Sequence, residues 1–372
     1  DVIFLVFLIG GAFTVVDETG TLRRGVASLV RALKGRDILA IPIISIFFAM
    51  GGVVENMQEE IIPLIPVLLI LTRRVGFDPL VAVAMSAGAA FVGSAFSPIN
   101  PFQVQIAQKL AELPLGSGAT FRIAFLVLAL ALWIGMTMRY AAQNRVAPEA
   151  VEDGDDAPMT TSDWIIFGLV GATFGVIVLG LMIWGWDFDQ LSAAFFIMGC
   201  VVGGLAGLGV TGTAEAYVKG FRGMAYAALL IGFARAIYVV LEDGLIVDTI
   251  VYGMFTPLES LPVLASAIGM IGAHAAVHVP VPSVSGQAVL TMPMLVPLSD
   301  LLGLSRQVVV LAYQYGAGLC DLITPTNGAL MAILASGGVS YEKWIKFTAP
   351  LYLGLVALGA LSIAVGIAID LQ

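Results

Sequence analysis

Residues 80–113 read LVAVAMSAGAAFVGSAFSPINPFQVQIAQKLAEL, and this stretch decides the fold. Two apolar runs, 80–96 and 102–113, meet at Ser97-Pro98-Ile99-Asn100-Pro101. A helix needs about 20 apolar residues to cross the hydrocarbon core of a bilayer, so neither run crosses alone. Asn100 before Pro101 is a helix N-cap followed by proline at the first helical position, so a second helix starts at that point. The stretch therefore reads as a re-entrant hairpin. The device recurs at Pro280-Val281-Pro282-Ser283-Val284-Ser285-Gly286-Gln287, between the runs 261–279 and 288–302. Thr324-Pro325-Thr326-Asn327-Gly328 splits a third apolar run. Unpaired backbone in hydrocarbon costs several kcal/mol per group, so such breaks are expected only where they line a cavity or bind something.

The rest of the chain agrees. Of 372 residues, 59% are hydrophobic and 12% charged, against about a quarter charged in soluble domains. This excludes a soluble enzyme, a nucleic-acid binder and a disordered scaffold, and predicts an all-α polytopic membrane protein. The net charge of −9 is partly local, because Glu149, Glu152, Asp153, Asp155, Asp156 and Asp163 share one loop. No basic patch with interleaved aromatics points to nucleic acid. Cys200 and Cys320 lie in apolar runs and read as small hydrophobes. The chain opens on Asp1-Val2-Ile3-Phe4 without a basic leader, which suggests a piece of a longer protein.

Two halves are predicted, 1–186 and 187–372. Gly35-Arg36 matches Phe221-Arg222, Pro79 matches Pro262, Ser97 matches Ser283, Arg122 matches Arg306 and Trp164 matches Trp344, at offsets of 180 to 186 residues. The first half holds a scaffold helix (2–16), a surface helix (21–36), broken helices (38–73), a hairpin (78–113), helices at 119–141 and 163–186, and an acidic loop (145–162). The second holds a helix (191–210), a surface helix (213–224), broken helices (225–257), a hairpin (260–302), a broken helix (306–336) and a helix (343–369). With the first surface helix cytoplasmic and an odd number of crossings per half, eleven basic residues fall inside and five outside. That obeys the positive-inside rule and predicts inverted repeats.

A charged break, Glu55-Asn56-Met57-Gln58-Glu59-Glu60, interrupts the apolar segment from 38 to 71, and its offset partner includes Arg235 and Glu242-Asp243. An ionisable group within an apolar segment is a functional-site candidate. Arg235 reads either as an ion-pair partner of Glu59 or Glu60 or as a substrate contact. His274 and His278 stand four apart on one helix face, but no HExxH or neighbouring carboxylate accompanies them, and no metal site is expected. They read as packing inside the second hairpin, with proton handling as the functional alternative. Asp321, three residues before Thr324, reads as a cation ligand or a solvated helix end, and Gly316-Ala317-Gly318 as a close helix contact.

Several stretches together carry a family resemblance: Gly10-Gly11-Ala12-Phe13, Glu59-Glu60-Ile61-Ile62-Pro63, Asn100-Pro101-Phe102, Ser285-Gly286-Gln287-Ala288, Thr291-Met292-Pro293-Met294, Ser305-Arg306-Gln307 and Thr324-Pro325-Thr326. With these the chain resembles the YfcC-like branch of the C4-dicarboxylate anaerobic carrier family, in the ion transporter superfamily. The resemblance implies a secondary transporter with an inverted repeat, two re-entrant hairpins, discontinuous helices and a dimeric, elevator-type mechanism.

The function expected is coupled transport of a small carboxylate-bearing metabolite, a C4-dicarboxylate or an amino acid, across a bacterial inner membrane. Ser97, Asn100, Ser283, Ser285, Gly286, Thr324, Thr326, Asn327, Glu59, Glu60 and Arg235 are the expected substrate contacts, with helix N-termini holding the carboxylate. Ser97, Asn100, Asp321, Thr324 and Asn327 are the expected ligands of a coupling Na⁺, with H⁺ as the alternative ion. No other cofactor is expected. A basic or zwitterionic amino acid/H⁺ antiporter and an ion channel are the competing readings. Glu55, Glu59 and Glu60 at one break favour an ammonium-bearing substrate, whereas the family resemblance favours a dicarboxylate.

Overall fold

The structure, a computed structural model, describes residues 2–33, 35–148 and 158–371. Helices account for nearly all of it. Four of the described helical stretches are long and apolar enough to cross a membrane: Asp37–Glu55, Ala119–Gln143, Phe188–Leu205 and Tyr341–Ala368. Their outward residues are apolar, as at Phe47, Val127, Ile197 and Leu353. The buried polar side chains instead gather at the helix breaks. This distribution suits a protein whose solvent is lipid, where polar groups must find partners inside.

The first part of the chain runs through α1 (Val2–Glu18), α2 (Thr21–Leu33), α3 (Ala40–Glu55) and α4 (Ile65–Val75). Between α3 and α4 the helix fails at Asn56, which takes a left-handed conformation with φ of 61°, and resumes as a 3₁₀ turn at Glu59–Leu64. The first hairpin descends through α5 (Pro79–Val83), a π turn (Ala84–Gly88) and α6 (Ala89–Ala95). It returns through a second π turn (Pro101–Gln105) and α7 (Ile106–Leu110). In the first π turn the Ala84 carbonyl accepts the Ala89 backbone N–H and, from outside, the Trp133 indole N–H at 2.8 Å.

The chain continues through α8 (Ala119–Gln143), α9 (Thr161–Leu179), α10 (Phe188–Leu205), α11 (Gly209–Asp243) and α12 (Val247–Phe255). The second hairpin is α13 (Val263–His278) and α14 (Val284–Leu302). Then come α15 (Arg306–Cys320), the break at residues 321–327, α16 (Gly328–Ser336) and α17 (Tyr341–Ala368).

Two expectations need correction. Residues 213–224 do not form a separate surface helix, because α11 runs unbroken for 35 residues. No proline interrupts it there, and Tyr217, Phe221 and Met224 pack onto Gly10 and Gly11 of α1. The helix also passes straight through Arg235, whose side chain lies outside the described residues, and ends at Gly244. Glu242 and Asp243 are exposed at that end, away from the broken-helix interior. Most of the acidic loop, residues 149–157, also lies outside the described residues.

Buried apolar residues form two clusters. One joins α1, α9, α10 and the first half of α11, through Leu5, Phe13, Ile166, Phe195 and Tyr217. The other joins both hairpins to α3, α4, α8, α15 and α17. Two arginines tie the halves of the chain together. Arg122, on the helix after the first hairpin, donates to Gln314 and Gln307 of α15 at 3.1 and 3.0 Å. Arg306, on the helix after the second, donates to the Ala111 carbonyl and the Glu112 carboxylate at 3.1 and 2.7 Å.

Glycines set the closest approaches. A Cβ on Gly93 would lie 2.2 Å from the Ala49 carbonyl oxygen, and one on Gly52 would lie 2.0 Å from that of Ala90, so α3 and α6 touch through backbone. Overpacking of this kind typically costs about 1–3 kcal/mol. Gly93→Ala is therefore expected to lower the thermal unfolding midpoint in detergent. Gly135→Ala, where a Cβ meets nothing within 4 Å, is expected to leave it unchanged or slightly raised.

Candidate functional site

The breaks converge. A cavity of about 440 Å³ is lined by Glu55, Asn56, Gln58, Glu59 and Glu60 from the first break, and by Pro282–Ser285 from the tip of the second hairpin. Asp321, Thr326, Asn327, Gly328 and Ala329 come from the third break, and Phe102 from the first hairpin. Asp187, Phe188, Leu191 and Ile231 close it from α10 and α11. The volume falls in the range of small-molecule sites, about 300–1,000 Å³.

One wall is acidic. Glu55 and Glu60 are 8% and 7% exposed and Asp321 is 2% exposed, so these carboxylates have little water of their own. Glu60 accepts from the Gln58 backbone N–H at 3.1 Å. The buried Oε2 of Glu55 has no hydrogen-bond partner among the described residues. No lysine or arginine appears among the described lining residues. Arg235 stands one helical turn beyond Ile231 on α11.

Another part of the lining is made of helix beginnings. Ser283 caps α14, its Oγ accepting from the Gly286 N–H at 3.2 Å, and Asn327 caps α16, its Oδ1 accepting from the Leu330 N–H at 3.0 Å. Val284 and Ser285 begin α14 at the cavity, as Gly328 and Ala329 begin α16. The first N–H groups of a helix lack intrahelical partners and carry its positive dipole end.

A buried polar chain ties the two walls together. Asp321 Oδ2 accepts from Gln58 Nε2 at 3.0 Å, and Asp321 Oδ1 accepts from Asn327 Nδ2 at 2.7 Å. Asn327 Nδ2 also donates to Gln58 Oε1 at 3.2 Å. Behind Asp321, His278 Nε2 lies 3.0 Å from Oδ1, and His278 Nδ1 lies 3.0 Å from Gln287 Oε1.

Of the expected site residues, Glu59, Glu60, Ser283, Ser285, Asp321, Thr326 and Asn327 reach the cavity. Ser97, Asn100, Gly286 and Thr324 do not line it. Ser97 donates to the Val53 carbonyl at 2.7 Å and Asn100 to the Gly52 carbonyl at 2.7 Å. Asn100 Oδ1 also caps its own helix at Phe102 and Gln103. These side chains close the end of α3, so the carbonyls freed at that break are already occupied. Asp321 accepts from Gln58 and Asn327 and lies 3.0 Å from His278 Nε2, so its oxygens are engaged by protein groups rather than left bare for a cation. Residues not foreseen as contacts are Glu55, Asn56 and Gln58. The sequence signal for Gln58 was its place between a left-handed Asn56 and paired acids, but its bond to Asp321, 263 positions away, is invisible in one sequence.

An all-helical membrane chain with a polar cavity enclosed by broken helices and a hairpin tip defines a membrane carrier. The chain belongs to the C4-dicarboxylate anaerobic carrier family, which it matches over residues 1–368. It is 34% identical to YfcC of Escherichia coli (strain K12), a protein whose name proposes basic amino acid antiport. That alignment covers 98% of this chain and 77% of YfcC. A Haemophilus influenzae protein without an assigned role is 30% identical over 99% of this chain and 76% of its own length. Among solved structures, the Alcanivorax borkumensis YdaH transporter, described as having an unusual topology, shares the fold. It superposes with a TM-score of 0.54 at 18% identity, over 99% of this chain and 85% of its own.

Gln58→Ala would strip Asp321 Oδ2 of its donor and Asn327 of an acceptor. Leaving buried polar groups unpaired costs about 1–3 kcal/mol. The variant is expected to unfold at a lower temperature than the wild type in detergent, as read by tryptophan fluorescence.

Proposed function

We propose that the chain is a secondary transporter of an amino acid that carries at least one ammonium group, working in a bacterial cytoplasmic membrane that it crosses several times. The observation that carries this reading is the pairing of walls: Glu55, Glu59, Glu60, Asp187 and Asp321 line the same cavity as the N-termini of α14 and α16. An amino acid meets both. Its carboxylate suits the helix beginnings at Ser283–Ser285 and Asn327–Ala329. Its ammonium suits the acids, and the Oε2 of Glu55 is an acceptor without a donor among the described residues.

A dicarboxylate fits less well. Two unit charges 4 Å apart interact by about 4 kcal/mol at an effective dielectric near 20. A dianion would face that repulsion from several acids at once, and adding the Arg235 guanidinium would leave the lining acidic. The name of YfcC supports the same class of substrate, whereas the name of the family favours dicarboxylates.

The two hairpins, each followed by a helix whose arginine (Arg122 or Arg306) ties it to the other half of the chain, support an inverted repeat. The division into two apolar clusters, which meet at residues such as Val6 and Met224, supports a scaffold of α1, α9, α10 and α11 against which the hairpins and broken helices move, as an elevator in a homodimer. The site lies between these bodies, with Leu191 and Ile231 on one side and the breaks on the other.

Thermal-shift titration of the purified protein tests the substrate. L-lysine and L-arginine are expected to raise the midpoint, since ligands stabilise the state they bind, and succinate is expected to do nothing. Glu60→Gln is expected to weaken binding of the amino acids by roughly tenfold or more, about 1.4 kcal/mol. Stabilisation by succinate alone would contradict the reading.

A further inference from the structure

The hydrogen-bond pattern behind the cavity constrains one proton. Gln287 Nε2 donates to the His274 backbone carbonyl at 2.8 Å, and only an N–H₂ can do so. The same Nε2 lies 3.0 Å from His274 Nδ1. The orientation of the Gln287 amide is thereby fixed, and its other end, Oε1, faces His278 Nδ1 at 3.0 Å. An amide oxygen only accepts, so His278 Nδ1 must carry a hydrogen. The other ring nitrogen, Nε2, lies 3.0 Å from Asp321 Oδ1. That contact needs a second hydrogen, held either on Nε2 or on the carboxyl group.

We propose that His278 and Asp321 together hold one exchangeable proton, and that a cation entering the cavity displaces it. With the proton the pair is neutral, as imidazolium and carboxylate or as imidazole and carboxylic acid. Without it, two lone pairs face each other at Nδ1···Oε1 or at Nε2···Oδ1. Either contact then turns repulsive, so release of the proton must move Gln287 or Asp321. Gln287 belongs to α14, whose first residues form the cavity wall, and Asp321 lines the cavity itself. Protonation is thus linked to the position of the hairpin tip.

Charge gives the direction. Release takes the pair from neutral to −1, with the proton leaving through the cavity to water. An arriving ammonium group restores the balance, so cation and proton exclude one another and transport becomes an exchange. The titratable groups around the pair, among the described residues, act in the same sense or stay fixed. Glu55, Glu59 and Glu60 line the same cavity as Asp321. His274 lies one turn back on α13, stacked edge-on against Tyr313 of α15 at 5.3 Å. Tyr313 donates to the Val284 carbonyl at 2.6 Å. Cys320 of α15 contacts Tyr352 of α17 at 3.4 Å.

The inference rests on the amino-acid reading of the cavity, and its test separates the two. The chain has only two histidines, so full-length protein labelled with ¹⁵N-histidine in lipid nanodiscs gives two resolvable rings, with His274→Asn assigning them. The expected result at neutral pH is a protonated Nδ1 on His278; a neutral ring with bare Nδ1 would overturn the proposal. Calorimetry with L-lysine, in two buffers of different ionisation heat, is expected to show roughly one proton released per molecule bound. Lysine binding without proton release would overturn the coupling and leave the substrate reading intact. Failure of L-lysine to bind would overturn both the substrate reading and the coupling. In proteoliposomes, His278→Asn is expected to lose uptake driven by a pH gradient while keeping lysine–lysine exchange. Undiminished gradient-driven uptake in that variant would overturn the proposal.

Discussion

Backbone cannot be left unpaired in a bilayer, and the rest of this structure follows from that constraint. The chain breaks its helices at Asn56, at Ser97–Asn100, before Ser283 and at residues 321–327. Every break frees carbonyls and N–H groups that water cannot reach. Some are capped by side chains from a neighbouring break: Ser97 and Asn100 take the Val53 and Gly52 carbonyls. Others are capped from within, as at Ser283 and Asn327. Mutual capping holds the first hairpin against α3, while the second hairpin and the third break keep helix beginnings open to a cavity. The first arrangement is structural, and the second leaves a binding surface.

The acidic wall takes its meaning from the same constraint. Glu60 accepts from a backbone N–H, and Asp321 accepts from the amides of Gln58 and Asn327 with His278 beside it, so no lysine or arginine holds either carboxylate among the described residues. A buried charge with no opposite partner is expensive, so this wall is completed by something that enters and leaves. A substrate ammonium and a proton are the two guests proposed for it.

Much of the fold was legible in the sequence because bilayer physics leaves few choices. The Ser-Pro-Ile-Asn-Pro stretch announced a hairpin turn, and the apolar runs too short to cross announced broken helices. What could not be read was direction. Asn100 and Asn327 look alike as N-caps before a new helix, yet Asn100 also reaches back to α3 while Asn327 reaches Asp321 at the cavity. The amphipathic look of residues 213–224 suggested a surface helix, but its larger side chains were meant for the glycines of α1, some 200 positions earlier. His278 was read as packing because its partners, Gln287 and Asp321, are contributed by two other segments. Sequence shows the capping residue and the charge; it does not show which distant group each one answers.

The central claim is that acids and helix beginnings grip opposite ends of one amino acid. Its most direct test is an electron cryo-microscopy structure of the protein in nanodiscs with saturating L-lysine. The account predicts density in the cavity with an ammonium group within hydrogen-bonding distance of Glu55, Glu59 or Glu60, and the α-carboxylate at Ser283–Ser285 or Asn327–Ala329. An empty cavity under saturating L-lysine, or a ligand whose carboxylate lies against the acids, would contradict it.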